Sequence, residues 1–191
     1  MAARRAKPGV TLRPSTAADE DFLYSVYAST RQEELAQLNW TEEEKASFLL
    51  QQFIAQQRHY HEQYAGASHD LIEVDGQPGG RLYVARRETE IRVMEIALLP
   101  EYRGRGIGTW LLNQLLDEAA RTARRVTIHV EKLNPARRLY ARLGFAEIAD
   151  RGVYLLLEWA ANRTNESRKD GFVPHPDIVR PDRHDEQLEV S

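Results

Sequence analysis

Hydrophobic residues recur at two different spacings along this chain, and the spacings separate strands from helices. Short runs of alternating or β-branched apolar residues, each ended by glycine, proline or polar residues, predict strands. The first predicted strand begins at Val10 and stops at Pro14. The later predicted strands cover residues 70–76, 78–86, 90–99, 126–130, 145–150 and 152–159.

Helical spacing, together with start and stop signals, predicts four helices. One helix covers residues 17–30, and a second extends toward Tyr64 from a capping box formed by Thr41 and Glu44. The third helix has an apolar stripe formed by Ile107, Leu111, Leu115 and Ala119.

The fourth predicted helix is short and has a strong signal at each end. Asn134 can cap its first turn, and Pro135 suits the first helical position. Gly144 is the expected left-handed residue just after its last turn.

The order of these elements indicates an α/β, or α+β, fold with a mixed sheet. A helix connects strands 90–99 and 126–130, and such a crossover makes the two strands parallel. We expect a flexible N-terminus at residues 1–9, one domain at 10–160 and a polar, disordered tail at 161–191.

Composition narrows the functional classes. The chain has 191 residues, of which 42% are hydrophobic, enough for one core. A net charge of -3 gives no general attraction to nucleic acid, so we expect no nucleic-acid partner. The absence of cysteine excludes a disulfide and a cysteine nucleophile. With no apolar targeting or membrane-spanning stretch, the sequence favours a cytoplasmic protein without membrane attachment.

The segment EYRGRGIGTWLL separates a predicted strand from a predicted helix. Gly104, Gly106 and Gly108 lack side chains, so the amides at the helix N-terminus can approach a ligand closely. Arg103 and Arg105 add positive charge and hydrogen-bond donors suited to phosphate oxygens. The segment therefore predicts a pyrophosphate-binding loop.

Three phosphate-binding patterns compete for this loop. The Walker pattern fails because no Lys-Ser/Thr pair follows the last glycine. The dinucleotide fingerprint would need glycine where Thr109 stands and a second mononucleotide-binding half, although Glu131 could take the place of its ribose-binding acid. The third pattern, Arg/Gln-x-x-Gly-x-Gly/Ala, is matched from Arg103 to Gly108.

At this loop the chain resembles the Gcn5-related N-acetyltransferases, which bind the pyrophosphate of acetyl-coenzyme A (acetyl-CoA) there. The stretch NPARRLYARLGF resembles the following motif of the family, and LLLEW resembles its terminal strand. The resemblance covers residues 10–159. It implies a central, mostly antiparallel mixed sheet with one parallel crossover, flanked by helices, and acetyl-CoA as cosubstrate without a metal.

The resemblance also implies which residues hold acetyl-CoA. The backbone of two leucines would run alongside the pantetheine arm, the glycine-rich amides would hold the pyrophosphate, and an asparagine would contact the arm while also capping its helix. The expected cofactor-binding residues are Leu98, Leu99, Arg103, Gly104, Arg105, Gly106, Ile107, Gly108, Thr109 and Asn134.

Three side chains are candidates for catalysis. By resemblance, Tyr140 is the general acid for the departing thiolate, and its structural alternative is a core tyrosine. For the general base, Glu95 ranks first because a carboxylate inside an apolar strand is costly unless it is paired or functional. His129, on the facing strand, ranks next, and ordered water is the third option. The structural alternative for Glu95 is an ion pair with Arg81 or Arg92.

The sequence thus predicts an N-acetyltransferase in which a primary amine of a small molecule attacks acetyl-CoA directly in a ternary complex. Acetylation of a protein N-terminus or lysine, and a non-catalytic acyl-CoA sensor, are the alternatives. A closed pocket lined by Trp40, Phe53 and Tyr60 would favour a small molecule, whereas an open channel would favour a peptide. The oligomeric state is left open, with a homodimer as one option.

Overall fold

The computed structural model describes residues 9–161. The predicted flexible N-terminus and the predicted disordered tail lie almost entirely outside the described residues. The domain predicted for residues 10–160 lies within them.

Seven strands form one sheet in the order β1-β2-β3-β4-β5-β7-β6. All neighbouring pairs are antiparallel except β4 and β5, which are parallel, so the predicted crossover is confirmed. The strands are β1 (Val10–Pro14), β2 (Ser68–Val74), β3 (Gln77–Arg86), β4 (Glu90–Leu98), β5 (Arg125–Glu131), β6 (Ala146–Arg151) and β7 (Tyr154–Trp159).

Four α-helices flank the sheet: α1 (Glu20–Leu35), α2 (Glu42–Gln63), α3 (Ile107–Thr122) and α4 (Arg137–Arg142). The capping box of α2 is confirmed, because the Glu44 amide donates to the Thr41 hydroxyl and the Thr41 amide donates to the Glu44 carboxylate. A 3₁₀ turn at Ala17–Asp19 precedes α1, which therefore begins later than predicted. Within residues 9–161, no helix is long and apolar enough to cross a membrane.

The two faces of the sheet differ in polarity, because successive side chains of a strand point to opposite faces. The face covered by α3 carries the larger apolar core, in which Ile91, Val93, Val126 and Ile128 are buried with the leucines of α3. The face covered by α1 and α2 has a smaller apolar cluster of Leu23, Tyr27, Phe53 and Leu71. Its buried residues also include the polar side chains of Arg81, Arg92 and Thr127.

A β-bulge interrupts the pairing of β3 with β4. Tyr83 pairs with Glu95 and the next residue, Val84, pairs with Val93, so Met94 is the extra residue. A bulge bends its strand and increases the local twist. The bulge therefore turns the second half of β4 away from its original direction.

The parallel pairing of β4 with β5 ends at the same level. Val93 and Ile128 are the last paired residues, although β4 continues to Leu98 and β5 continues to Glu131. The two strands consequently separate beyond the bulge. This separation opens a gap in the middle of the sheet, which we call the β4–β5 gap.

Candidate functional site

A cavity of about 370 Å³ lies at the β4–β5 gap. Helices α1 and α2 cover it on one face of the sheet, and the loop before α4 borders it. It brings together four of the predicted site residues, Glu95, His129, Asn134 and Tyr140. The predicted pyrophosphate loop is not part of its lining and lies beyond the end of β4.

The glycine-rich loop has the backbone that its sequence suggests. Gly104 and Gly106 have φ values of +71° and +74°, in the left-handed region that favours glycine. Gly106 is the N-cap of α3, and its carbonyl accepts the first helical hydrogen bond, from the Trp110 amide at 3.0 Å. The amides of the three residues between Gly106 and Trp110 have no acceptor within the helix, so they can donate to an anion.

The two arginines of the loop have different surroundings. The Arg103 guanidinium donates to the Leu98 carbonyl at 2.8 Å and to the hydroxyl of Ser29 at 3.2 Å. It thus joins the loop to β4 and α1. The Arg105 guanidinium is exposed at the surface and lies 5.4 Å from the centre of the Tyr102 ring. Both side chains are exposed, but Arg103 is held by its contacts with Leu98 and Ser29. Arg105 is therefore the better candidate for a phosphate ligand.

The remaining loop residues contribute mainly through their backbone. The side chain of Ile107 is buried in the core. A Cβ atom added to Gly108 would lie 3.9 Å from Leu139, so this glycine faces α4. The Leu99 amide donates to the Gly79 carbonyl, so it belongs to the β3 side of β4. The opposite edge of β4 faces the gap, where β5 no longer pairs with it.

Asn134 caps the first turn of the α4 segment, as predicted. Its side-chain Oδ1 accepts a hydrogen bond from the Ala136 amide at 2.8 Å, although regular α-helix begins only at Arg137. This bond uses the carbonyl oxygen of the side chain. The amide group of Asn134 keeps its two N–H donors for other partners in the cavity.

Tyr140 is almost completely buried, with 5% of its surface exposed, and it lines the cavity. Its ring packs edge-on against Phe145 at 5.7 Å between centres. Burial raises the pKa of the Tyr140 phenol to about 12. The phenol therefore keeps its proton at neutral pH, because the charged form is disfavoured away from water.

Glu95 is held by an arginine on the neighbouring strand. The guanidinium of Arg81, which is 0% exposed, donates to Glu95 Oε1 from Nε at 3.0 Å and from Nη2 at 2.5 Å. The ion pair with Arg81, which the sequence offered as the structural alternative to a catalytic role, is therefore present. Arg81 also donates to Gln56 of α2 at 3.0 Å, which joins the pair to the helical layer. The second oxygen of Glu95, Oε2, is buried with no hydrogen-bond partner among the described residues.

His129 contacts a second buried arginine. Its Nδ1 lies 3.0 Å from Nη1 of Arg92, whose Nη2 donates to Glu90 at 3.3 Å. Glu90 also accepts a hydrogen bond from Thr127. Because a guanidinium can only donate, Nδ1 of His129 must accept in this contact. A neutral His129 then carries its proton on Nε2.

Of the three aromatic residues predicted to enclose a small substrate, one lines the cavity. Tyr60 does so, whereas Phe53 is buried in the cluster beneath α2. Trp40 packs against Phe48 at 5.3 Å and is 41% exposed. Other cavity residues were not predicted from the sequence, namely Tyr27, Arg31, Gln56, His59 and Tyr154. Helical spacing from Tyr27 to Arg31 was the signal that could have placed these two together.

Residues 27–145 match the family model described as acetyltransferase (GNAT) family. The chain belongs to the GNAT family. An uncharacterized N-acetyltransferase of Methanocaldococcus jannaschii is 36% identical to this GNAT chain over an alignment of 88 residues, and the alignment covers 40% of this chain. The match spans 38% of the length of that relative.

Solved structures share the GNAT fold at low sequence identity. The PaiA N-acetyltransferase of Thermoplasma acidophilum, crystallised with coenzyme A, has a TM-score of 0.61 and 16% identity over 79% of this chain and 98% of its own. The ribosomal-protein-S18-alanine N-acetyltransferase of Escherichia coli has a TM-score of 0.55 and 18% identity over 84% and 99%. Arabidopsis thaliana Naa50, bound to a bisubstrate analogue, has a TM-score of 0.53 and 16% identity over 80% and 99%.

Among residues 9–161, no group of three or more histidine, cysteine, aspartate or glutamate side chains is arranged to hold a metal ion.

Proposed function

We propose that this GNAT chain is an acetyl-CoA-dependent N-acetyltransferase that acetylates a primary amine of a small molecule by direct attack in a ternary complex. One observation carries the proposal: a single cavity at the β4–β5 gap is lined by both Glu95 and Tyr140. A carboxylate that can take the proton of the amine and a phenol that can donate a hydrogen bond to the departing sulfur are two groups that this reaction can use.

The loop at the end of β4 fits the donor. Its positive-φ glycines present the amides at the start of α3 to an anion, and Arg105 adds an exposed cation. The amide group of Asn134 and the open edge of β4 would hold the pantetheine arm. When bound, acetyl-CoA would supply a thioester whose carbonyl carbon the amine attacks.

Glu95 is the best candidate for the general base. Its Oε2 has no hydrogen-bond partner, so it can accept a proton from an amine in the cavity. Arg81 holds the other oxygen, Oε1, with two hydrogen bonds, which fix the position of the carboxylate. His129 is weaker, because Arg92 occupies its Nδ1 and its Nε2 would already carry a proton. Ordered water remains the third candidate.

Tyr140 is suited to donate a hydrogen bond to the departing sulfur. Its pKa of about 12 lies well above the value of about 8.5 that is ordinary for a thiol. Complete proton transfer to a thiolate would therefore be uphill. A hydrogen bond from the protonated phenol can still stabilise the negative charge as it develops.

The cavity supports a small acceptor more than a peptide. Its volume of about 370 Å³ lies within the usual range for small-ligand sites. Helices α1 and α2 cover it on the acceptor side, where Tyr60 and His59 form part of the wall. The names of the E. coli enzyme and of the ligand bound to the Arabidopsis protein point to protein or peptide acceptors, but these two proteins are only 16–18% identical to this chain and share the fold alone.

A thiol-release assay with acetyl-CoA tests the proposal. The full chain is incubated with a panel of small primary amines and of peptides with free N-termini or lysines, and acetylated products are identified by mass spectrometry. We expect turnover with small amines. Preferred turnover of peptides would favour the protein acetyltransferase. Acetyl-CoA binding by calorimetry without turnover of any acceptor would favour the sensor.

A further inference from the structure

The cavity at the β4–β5 gap contains unpartnered polar atoms of both charges. Oε2 of Glu95 and Nε of Arg92 are both buried, and neither has a hydrogen-bond partner among the described residues. Nε of Arg31 is a third such atom. All three side chains line the same cavity. Buried polar atoms are nearly always hydrogen-bonded, so these three atoms point to a polar ligand.

Arg92 is the most informative of these groups, because 6% of its surface is exposed. Its two terminal nitrogens are used by His129 and Glu90, which fix the guanidinium plane. The Nε–H that remains is a donor in a rigid position. A carboxylate is the natural acceptor for such a donor, because it is planar and charged.

Charge balance argues for a ligand with both signs. Each cavity arginine and glutamate already has an internal partner: Arg31 pairs with Glu131 at 3.0 Å, and Arg92 pairs with Glu90 at 3.3 Å. Glu95 pairs with Arg81. A ligand with a single net charge would add an uncompensated charge to a cavity whose own buried charges are already paired, which is costly. A zwitterion has no net charge and would avoid this cost.

We infer that the acceptor is a small amino-acid-like zwitterion, whose amine is received by Glu95 and whose carboxylate is received by Arg92 with Arg31. The inference rests on the proposed function and specifies its substrate class. Glu95 and Arg92 are three positions apart on β4, so their Cα atoms are separated by about 10 Å at most. Two side chains reaching inward from that distance leave room for an amine and a carboxylate a few bonds apart.

Matched pairs of amines test the inference. Each pair consists of an amino acid without a charged side chain and the amine that its decarboxylation would give: leucine with isoamylamine, valine with isobutylamine, and phenylalanine with phenethylamine. The value of kcat/KM for acetylation is measured for both members with saturating acetyl-CoA. In pairs that turn over, we expect the amino acid to be preferred by about 10- to 100-fold, the contribution of a charge-assisted hydrogen bond.

Two variants assign the preference to the arginines. Arg92→Lys keeps the charge but removes the Nε–H donor, and Arg31→Gln removes a charge from a less buried position. Each should reduce the preference ratio by at least about 5-fold. The ratio is measured within one preparation, so partial unfolding of a variant cancels. Arg86→Lys, which alters an arginine paired with Glu118 outside the cavity, should leave the ratio unchanged.

The outcomes distinguish failure of the zwitterion inference from failure of the proposed acetyltransferase function. A preference for the decarboxylated amines, or no preference, would overturn the zwitterion while leaving the acetyltransferase intact. An amino-acid preference that is unchanged in both arginine variants would overturn the assignment to this cavity. Absence of turnover with every amine would overturn the proposed function itself.

Discussion

The two faces of the sheet differ in the polarity of the groups that they bury. The α3 face is an apolar core, and the glycine-rich loop lies at its edge, where the start of α3 presents its amides. The α1/α2 face buries two arginines and a glutamate beside a small aromatic cluster. Under the proposed function, the loop at the first face would bind acetyl-CoA and the second face would bind the acceptor.

Because of this difference, the two faces should respond differently to substitution. A loop that binds acetyl-CoA through its backbone amides depends on its backbone conformation, so it is sensitive to replacement of its glycines. An acceptor site made of paired charges depends on individual side-chain atoms. Variants on one face should therefore change binding of acetyl-CoA, and variants on the other should change turnover.

Glu95→Gln should have the largest effect. Glutamine keeps the size of the side chain but cannot accept a proton, so kcat should fall by about 100- to 10,000-fold, the usual contribution of a general base. The Kd for acetyl-CoA should stay within about 3-fold of wild type, because the glycine-rich loop is unchanged. Glu73→Gln, at a carboxylate paired with Arg13 outside the cavity, is the matched control and should retain full activity.

Gly104→Val should weaken acetyl-CoA binding by about 10- to 100-fold in calorimetry, because a side chain at φ +71° distorts the loop. Gly66→Val provides a matched control. That glycine has φ +83°, and neither glycine has an atom within 4 Å of an added Cβ. Both variants should lose similar thermal stability, but only Gly104→Val should lose affinity. Equal affinities would contradict the assignment of the loop.

Tyr140→Phe should lower kcat by about 10-fold, through loss of one hydrogen bond to the departing sulfur. Burial raises the pKa of this phenol to about 12, so it stays protonated throughout the neutral and mildly alkaline range. The ratio of wild-type to variant rates should therefore be constant from about pH 7 to about pH 10. A ratio that falls within that range would show that Tyr140 ionises there, contrary to its burial.

His129→Gln should have the smallest effect, a change in kcat of less than about 5-fold. The glutamine carbonyl can still accept a hydrogen bond from Arg92, so the buried arginine keeps a partner. The measurement is kcat across the pH range used for Tyr140→Phe. Loss of activity here together with retention in Glu95→Gln would reverse the two base candidates.

Local signals predicted the backbone conformation of the glycine-rich loop and of the α4 segment well. The glycines before α3, the Asn134 cap and the left-handed Gly144 are each determined by residues close in sequence. The sheet with one parallel pair also followed from the order of the elements. Such features depend on backbone conformation, which a short window of sequence can specify.

The buried polar groups of the α1/α2 face could be predicted only in part. The sequence marked Glu95 as unusual and offered two arginine partners, but the choice of Arg81 depends on the register between β3 and β4. That register includes the bulge at Met94, for which no turn residue gave a signal. Arg103 shows the same limit, because its contact with Ser29 joins residues that are 74 positions apart.

The most direct test of the division between the two faces is an initial-velocity study in which acetyl-CoA and the amine are varied together. If the donor and the acceptor meet at the β4–β5 gap in one ternary complex, reciprocal plots should give intersecting lines, and the chain incubated with acetyl-CoA alone should carry no covalent acetyl group by mass spectrometry. Parallel lines together with an acetylated chain would show that the acetyl group passes through the protein, and would contradict the account.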